Sequence, residues 1–211
     1  MRFAAFLFLI IAFAGCTKKT DVFVFDCIVF DQKVNAPVVG ANVTMSVQRA
    51  VGGFNPNFEN VGAATTDGNG RFTIEIDKDV FYSFRIDVSD SQHFSGVFDI
   101  NPDDVPFSTA YSATFNLEPK SWIKTHVINQ NGSQTVIFSV DSETDECSSC
   151  CTDGNIIIQG FPVDSIFKCQ VYGEQQASVT GTYVDNGGAV IQINETVYVT
   201  AFDTVTVSIV Y

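Results

Sequence analysis

Positive charge and histidine are both scarce in this sequence. Eleven lysines and arginines stand against 24 aspartates and glutamates in 211 residues, a formal net charge of −13, and there are two histidines. The basic residues are not grouped, so the chain lacks the clustered Lys and Arg that nucleic-acid phosphates require. Neither His93 nor His126 begins a His-Glu-x-x-His or His-x-x-Glu motif, which leaves metallopeptidase chemistry without a seat. A Gly-x-Ser-x-Gly elbow and a glycine-rich phosphate cradle are also missing. A Ser/His/Asp set need not be adjacent in sequence, so motif absence leaves that arrangement open. The longest apolar run, Phe3–Ala14, has 12 residues, short of the roughly 20 that a resident transmembrane helix needs. Leucine and methionine are few, and no stretch after the first 16 residues carries the 3.6-residue period of an amphipathic helix. The expectation is a protein that is not an enzyme and holds no cofactor, metal or nucleic acid.

What is present is phenylalanine, 20 of them, together with Val, Ile and Thr in short alternating runs. Period-two alternation bounded by Gly, Asn and Asp predicts strands over 21–30, 41–48, 71–76, 81–88 and 111–119. A second set is predicted over 122–129, 134–140, 155–161, 165–172, 177–184, 189–194 and 203–211. Asp185-Asn186-Gly187-Gly188 reads as a hairpin turn between two of these. Leu117-Glu118-Pro119-Lys120 is the expected joint, because proline cannot donate to a ladder. The fold class expected is all-β, two tandem antiparallel β-sandwiches, one over 21–118 and one over 119–211.

Within the first set, Pro37, Gly40, Ala41 and Val43 fill a Pro-x-x-Gly-Ala-x-Val motif, and Thr66, Asp67, Gly70 and Phe72 fill Thr-Asp-x-x-Gly-x-Phe. On these residues, 21–118 resembles the carboxypeptidase regulatory-like (transthyretin-like) domain. The resemblance implies a seven-stranded, Ig-like sandwich used as a spacer or binding module. Gly40 is read as turning the chain into a strand, and Gly70 as a positive-φ turn position. Residues 50–63, rich in Gly and Asn, read as a variable loop. Residues 119–211 resemble no family we can name.

The chain opens with Arg2, the apolar run to Ala14, then Gly15 and Cys16. This fits a secretory signal peptide over 1–15. Phe13-Ala14-Gly15-Cys16 resembles a bacterial lipobox, with Phe13 where leucine is usual, and the resemblance implies lipidation of Cys16. The alternative is an ordinary secreted protein in which Cys16 is a bystander. Residues 16–20 then form a short tether, and Thr17 in place of Asp resembles an outer-membrane sorting context. Two or more acyl chains would anchor firmly, each buried methylene contributing about 0.8 kcal/mol. Removing 15 of the 211 residues leaves 196, with ten cations against 24 acids, a net −14. The expected location is the cell envelope, as an outer-membrane lipoprotein on either face, with the membrane as partner through the anchor.

Five cysteines remain. Cys27 shares a strand face with Phe23 and Phe25 and reads as a buried thiol. Cys147, Cys150, Cys151 and Cys169 are disulfide candidates, two bridges in three possible pairings, in an oxidising compartment. A thiolate zinc site is the next reading, although the spacing is poor. A Cys-x-x-Cys redox pair at 147–150 follows, without the βαβ setting that lowers a thiol pKa. Asp141, Glu143, Asp145, Glu146 and Asp153 crowd the same loop and make calcium thinkable. Asp67 and Asn69 begin like a calcium loop, but Lys78 occupies the twelfth position, so a plain turn is preferred. His126 is read as a wet or hydrogen-bonded sheet residue, and Trp122, like the other aromatics, as core before sugar platform. The functional expectation is a binding or structural module for a protein or glycan partner, with recognition in loops 51–62 and 141–153. The alternative is an envelope protein working through its 147–169 thiols or a metal held by them.

Overall fold

The computed structural model describes residues 21–50, 56–130, 135–143 and 154–211. Among them there is no α-helix, and the fold is all-β. β1 (Val22–Asp31) alternates without a break over ten residues. Phe23, Phe25, Cys27, Val29 and Asp31 all turn inward. It is followed by β2 (Ala36–Pro37), β3 (Asn42–Arg49), β4 (Glu59–Thr65), β5 (Arg71–Asp77), β6 (Phe81–Ser89), β7 (Gly96–Ile100), a 3-10 turn at Pro102–Asp104 and β8 (Thr114–Asn116). β1 pairs antiparallel with β5 and β2 and parallel with β8, while β4-β3-β6-β7 form the facing sheet. Between them lies an aromatic core. Phe25 meets Phe84 at 5.3 Å and Tyr111 at 5.6 Å, and Phe98 meets Phe115 at 4.8 Å, with tilted or edge-on rings. Each buried Phe contributes about 1.5–3 kcal/mol through the apolar area it removes from water.

Two expectations change here. β4 occupies residues expected as loop: it is a largely exposed edge strand, so no buried face imposes an apolar alternation on Glu59–Thr65. The expected strand at 111–119 shrinks to β8, because the segment touches β1 at Tyr111, leaves it, and pairs again only at 114–116.

The two motifs form one corner. The Thr66 hydroxyl donates to Val38 O at 2.7 Å and accepts from Ala41 N at 2.9 Å, while Gly40 N donates to Thr66 O. Asp67 Oδ1 accepts from Asn69 N and Arg71 N, both at 2.8 Å, closing the turn that the calcium-like spacing mimics. These bonds hold the Asp67 carboxyl below its usual range. Gly70 has φ +72°, and a Cβ there would lie 2.5 Å from Val29 O, so only glycine fits.

The second half comprises β9 (Lys120–Asn129), β10 (Thr135–Asp141), β11 (Ile156–Gln159), β12 (Val163–Tyr172), β13 (Gln175–Val184), β14 (Val190–Val199) and β15 (Thr204–Val210). Sheet β12-β9-β15 faces sheet β11-β10-β13-β14 across a mostly aliphatic core that includes Ile123, Val127, Val136, Phe138, Val179 and Ile209. The hairpin at 185–188 forms as read, with Asp185 Oδ1 accepting from Gly187 N and Ala189 N, each at 2.8 Å. Pairing is not purely antiparallel: β8 runs parallel to β1, and β15 runs parallel to β9.

The Pro119–Lys120 joint is hydrogen-bonded on both sides. Phe94 N donates to Glu118 O and Lys120 N to Gln92 O. Gly173 N donates to Pro119 O and Phe202 N to Lys120 O. Phe94 packs edge-on against Tyr172 at 5.0 Å, and Lys33 reaches Glu143 at 3.8 Å.

Candidate functional site

The joint is built around a buried carboxylate–imidazole–carboxylate set. Alternation along β1 delivers Asp31 inward, where Oδ1 accepts from Lys33 N (2.8 Å) and Val34 N (3.1 Å) and caps the following turn. Its other oxygen lies 3.1 Å from His93 Nε2. His93 Nδ1 lies 2.7 Å from Asp90 Oδ2, which also accepts from Gln92 N at 2.9 Å. Burial opposes ionisation of Asp90, but the hydrogen bonds from His93 and Gln92 outweigh it and hold the carboxyl below its ordinary value. The imidazole stacks edge-on against Phe202 at 5.2 Å. A cleft of about 210 Å³ opens beside it, lined by Val34, Pro37, Val39 and Phe202, with no serine, threonine, cysteine or lysine. Both ring nitrogens face carboxylates, and these bonds tie β1 to the turn that precedes the joint. Sequence reading passed over this set. The available signal was an aspartate at a core-facing position of β1.

The second arrangement is the outer face of sheet β12-β9-β15, where even-numbered residues of all three strands point away from the core. The register sets them in rows: Gln170–Trp122–Thr204, Lys168–Lys124–Thr206, Ile166–His126–Ser208 and Asp164–Ile128–Val210. Lys168 Nζ sits 4.9 Å from the centroid of the Trp122 ring. His126 Nε2 lies 2.6 Å from Asp164 Oδ1 on this exposed face, the hydrogen-bonded sheet residue expected. Ser208 stands beside His126 in register, and no hydrogen bond joins them. Trp122 is outward and half-buried rather than core, because the inward positions of β9 are the odd-numbered ones.

Other expected residues fall as follows. Cys16, Cys147, Cys150 and Cys151 lie outside the described residues, as do 51–55 and 144–153 of the two expected loops. Cys169 is buried in the second core, opposite Ile123. No disulfide joins two described residues. Cys27 is buried, and burial pushes its thiol up to about 11. Its Sγ–H points to Tyr111 O at 3.7 Å. Both main-chain groups of Glu143 are held by the Gln175 side chain at 2.8 Å, and Asp141 ends β10. Among the described residues no three His, Cys, Asp or Glu side chains converge on a point where an ion could sit.

No family model and no curated protein matches this chain. Solved structures similar to it include a streptococcal ancillary pilin, 12% identical over 91% of this chain and 63% of that one, TM-score 0.41. A putative adhesin from Bacteroides ovatus ATCC 8483 is 10% identical over 90% and 92%, TM-score 0.36. The 3-chlorocatechol 1,2-dioxygenase from Rhodococcus opacus 1CP is 16% identical over 46% and 60%, TM-score 0.34. The chain spans less than two thirds of the pilin and of the dioxygenase, and only 16% of a Cyanothece 9R-lipoxygenase. At these identities and TM-scores the likenesses assign neither a family nor a role.

Proposed function

We propose that the protein is a non-enzymatic binding or structural module of the cell envelope, anchored through a lipidated Cys16, with a carboxypeptidase regulatory-like sandwich over 21–118 and a second over 119–211. One observation carries the non-enzymatic part. Each described histidine has carboxylate partners, His93 inside the joint and His126 on an open sheet, and among the described residues neither is hydrogen-bonded to a serine, threonine or cysteine. The anchor rests on the apolar leader and its Gly15-Cys16 end.

The test combines two measurements on cells expressing the full chain. Metabolic labelling with a clickable fatty acid should mark the wild type and not Cys16→Ala. Photo-crosslinking from intact cells should then recover a discrete protein or glycan partner. Wild type without label refutes the anchor, and hydrolase activity that disappears in His126→Ala refutes the binding-module reading.

A further inference from the structure

We propose that the outer face of sheet β12-β9-β15 binds an acidic polysaccharide, its carboxylates meeting Lys124 and Lys168. This rests on the reading of the protein as a binding module and names the ligand class.

Most of the described cations in this acidic chain are engaged by an acid or a carbonyl. Arg49 pairs with Glu59 and Asp79, Arg71 with Asp26, Lys78 with Asp21, Arg85 with Asp99, and Lys33 with Glu143. The Lys120 ammonium is taken up by the carbonyls of Asp90 and Ser91. Lys124 and Lys168 break the pattern. They are direct cross-strand neighbours, and among the described residues neither forms an ion pair. Like charges placed opposite each other on a sheet destabilise it, so the fold by itself gives no reason for the pair. Lys168 is propped against Trp122 instead, so an arriving carboxylate displaces no existing salt bridge.

The net charge of −13 does not forbid an anionic ligand. Screening limits each surface charge to about 8 Å at physiological ionic strength. The acid on this face, Asp164, lies four residues along β12 from Lys168, about 13 Å away, and is engaged by His126. Asp203, one residue before Thr204, already accepts from Thr204 N through Oδ1, and in their own row and the two rows beside it the lysines meet no carboxylate of these three strands.

Shape and chemistry select the polymer. The four rows span seven residues of each strand, about 20 Å, and three strands, about 10 Å, across. That suits an extended chain lying flat. Beside the cations stand Thr204 and Thr206 hydroxyls, then Ser208, with half-buried Trp122 and exposed Ile166 for the apolar faces of sugar rings. A sugar acid brings spaced carboxylates and many hydroxyls, matching this mixture. Two lysines are too sparse for a polyphosphate backbone, and an acidic peptide strand would seek a sheet edge rather than its face.

The experiment measures binding of the full mature chain to immobilised polygalacturonate, with a neutral galactan, poly-glutamate and duplex DNA as comparators. Binding to polygalacturonate that weakens with salt is expected. Lys124→Glu with Lys168→Glu should lower affinity at least about ten-fold, and Trp122→Ala by a smaller factor. Lys33→Glu should leave it unchanged. An unaltered unfolding midpoint shows that the variants fold. Absence of polygalacturonate binding, equal binding to poly-glutamate or DNA, or an unaffected double variant would overturn the proposal. A crosslinked partner that survives in the double variant would sink this site while leaving the module reading standing.

Discussion

The two halves of the chain solve the same packing problem with different materials. Residues 23–117 enclose rings: Phe23, Phe25, Phe72, Phe81, Phe84 and Phe115 fill the space between the sheets. Residues 123–211 enclose mainly Val and Ile, with Phe138 and Tyr211 among the few large rings inside. Their surfaces differ in the same sense. Every cation described in the first half has an acid partner, whereas among the described residues Lys124 and Lys168 in the second have none. The first half has the character of a closed scaffold, and the second keeps two neighbouring ammonium groups on an open sheet face.

The sharpest way to test that division is to open each core separately. Phe25→Ala and Phe138→Ala, both at fully buried positions, should each cost about 3–5 kcal/mol in denaturant unfolding. Protease sensitivity should rise in the half that carries the substitution. Equal sensitivity of both halves to either change would show a single cooperative unit.

Gly70→Ala should cost about 1–3 kcal/mol, because it forces a side chain into positive φ against Val29 O. Thr66→Val should cost a similar amount by stranding Ala41 N and Val38 O without their partner. Thermal unfolding of the two variants checks whether this corner holds the first half.

A smaller effect is expected at the joint. Asp90 is more acidic folded than unfolded, so its stabilisation is present above its ordinary value of 3.8 and fades as pH falls through the lower folded value. The stability gap between wild type and Asp90→Asn should therefore narrow below about pH 4. A gap that stays constant down to acid would remove Asp90 from the account.

The smallest effect belongs to the open face. Lys124→Ala should shift stability by no more than about 0.5 kcal/mol, and toward greater stability, since it relieves the pair with Lys168. Chemical denaturation at low salt is the sensitive measurement.

Much of this architecture is legible in the chain. Alternation marks β1, β5, β6 and most of the second half, because one face of each strand meets a core and the other meets water. β4 and β7 escape, since Glu59–Thr65 and Gly96–Ile100 are edge strands with little buried apolar pattern. The corner motifs were readable because a hydroxyl, an Asx turn and a positive-φ glycine each demand a residue type. The candidate face was not. Lys124 and Lys168 are 44 positions apart, and nothing local tells which residue of β12 will stand opposite β9. His93 was similarly opaque, because its partners come from β1 and from a turn.

Each half closes by laying its final strand parallel to its opening one: β8 beside β1, and β15 beside β9. The ends of such a pair leave from opposite poles of the sheet. Traction between the start of β9 and the far end of β15 would drag the strands lengthwise past each other, so their hydrogen bonds must yield together rather than unzip in turn. Seven registered residues, with Gln130 N donating to Tyr211 O beyond them, share that load. A lever tugged by whatever it holds would, in this geometry, resist along its length and give way most readily when pried from the side.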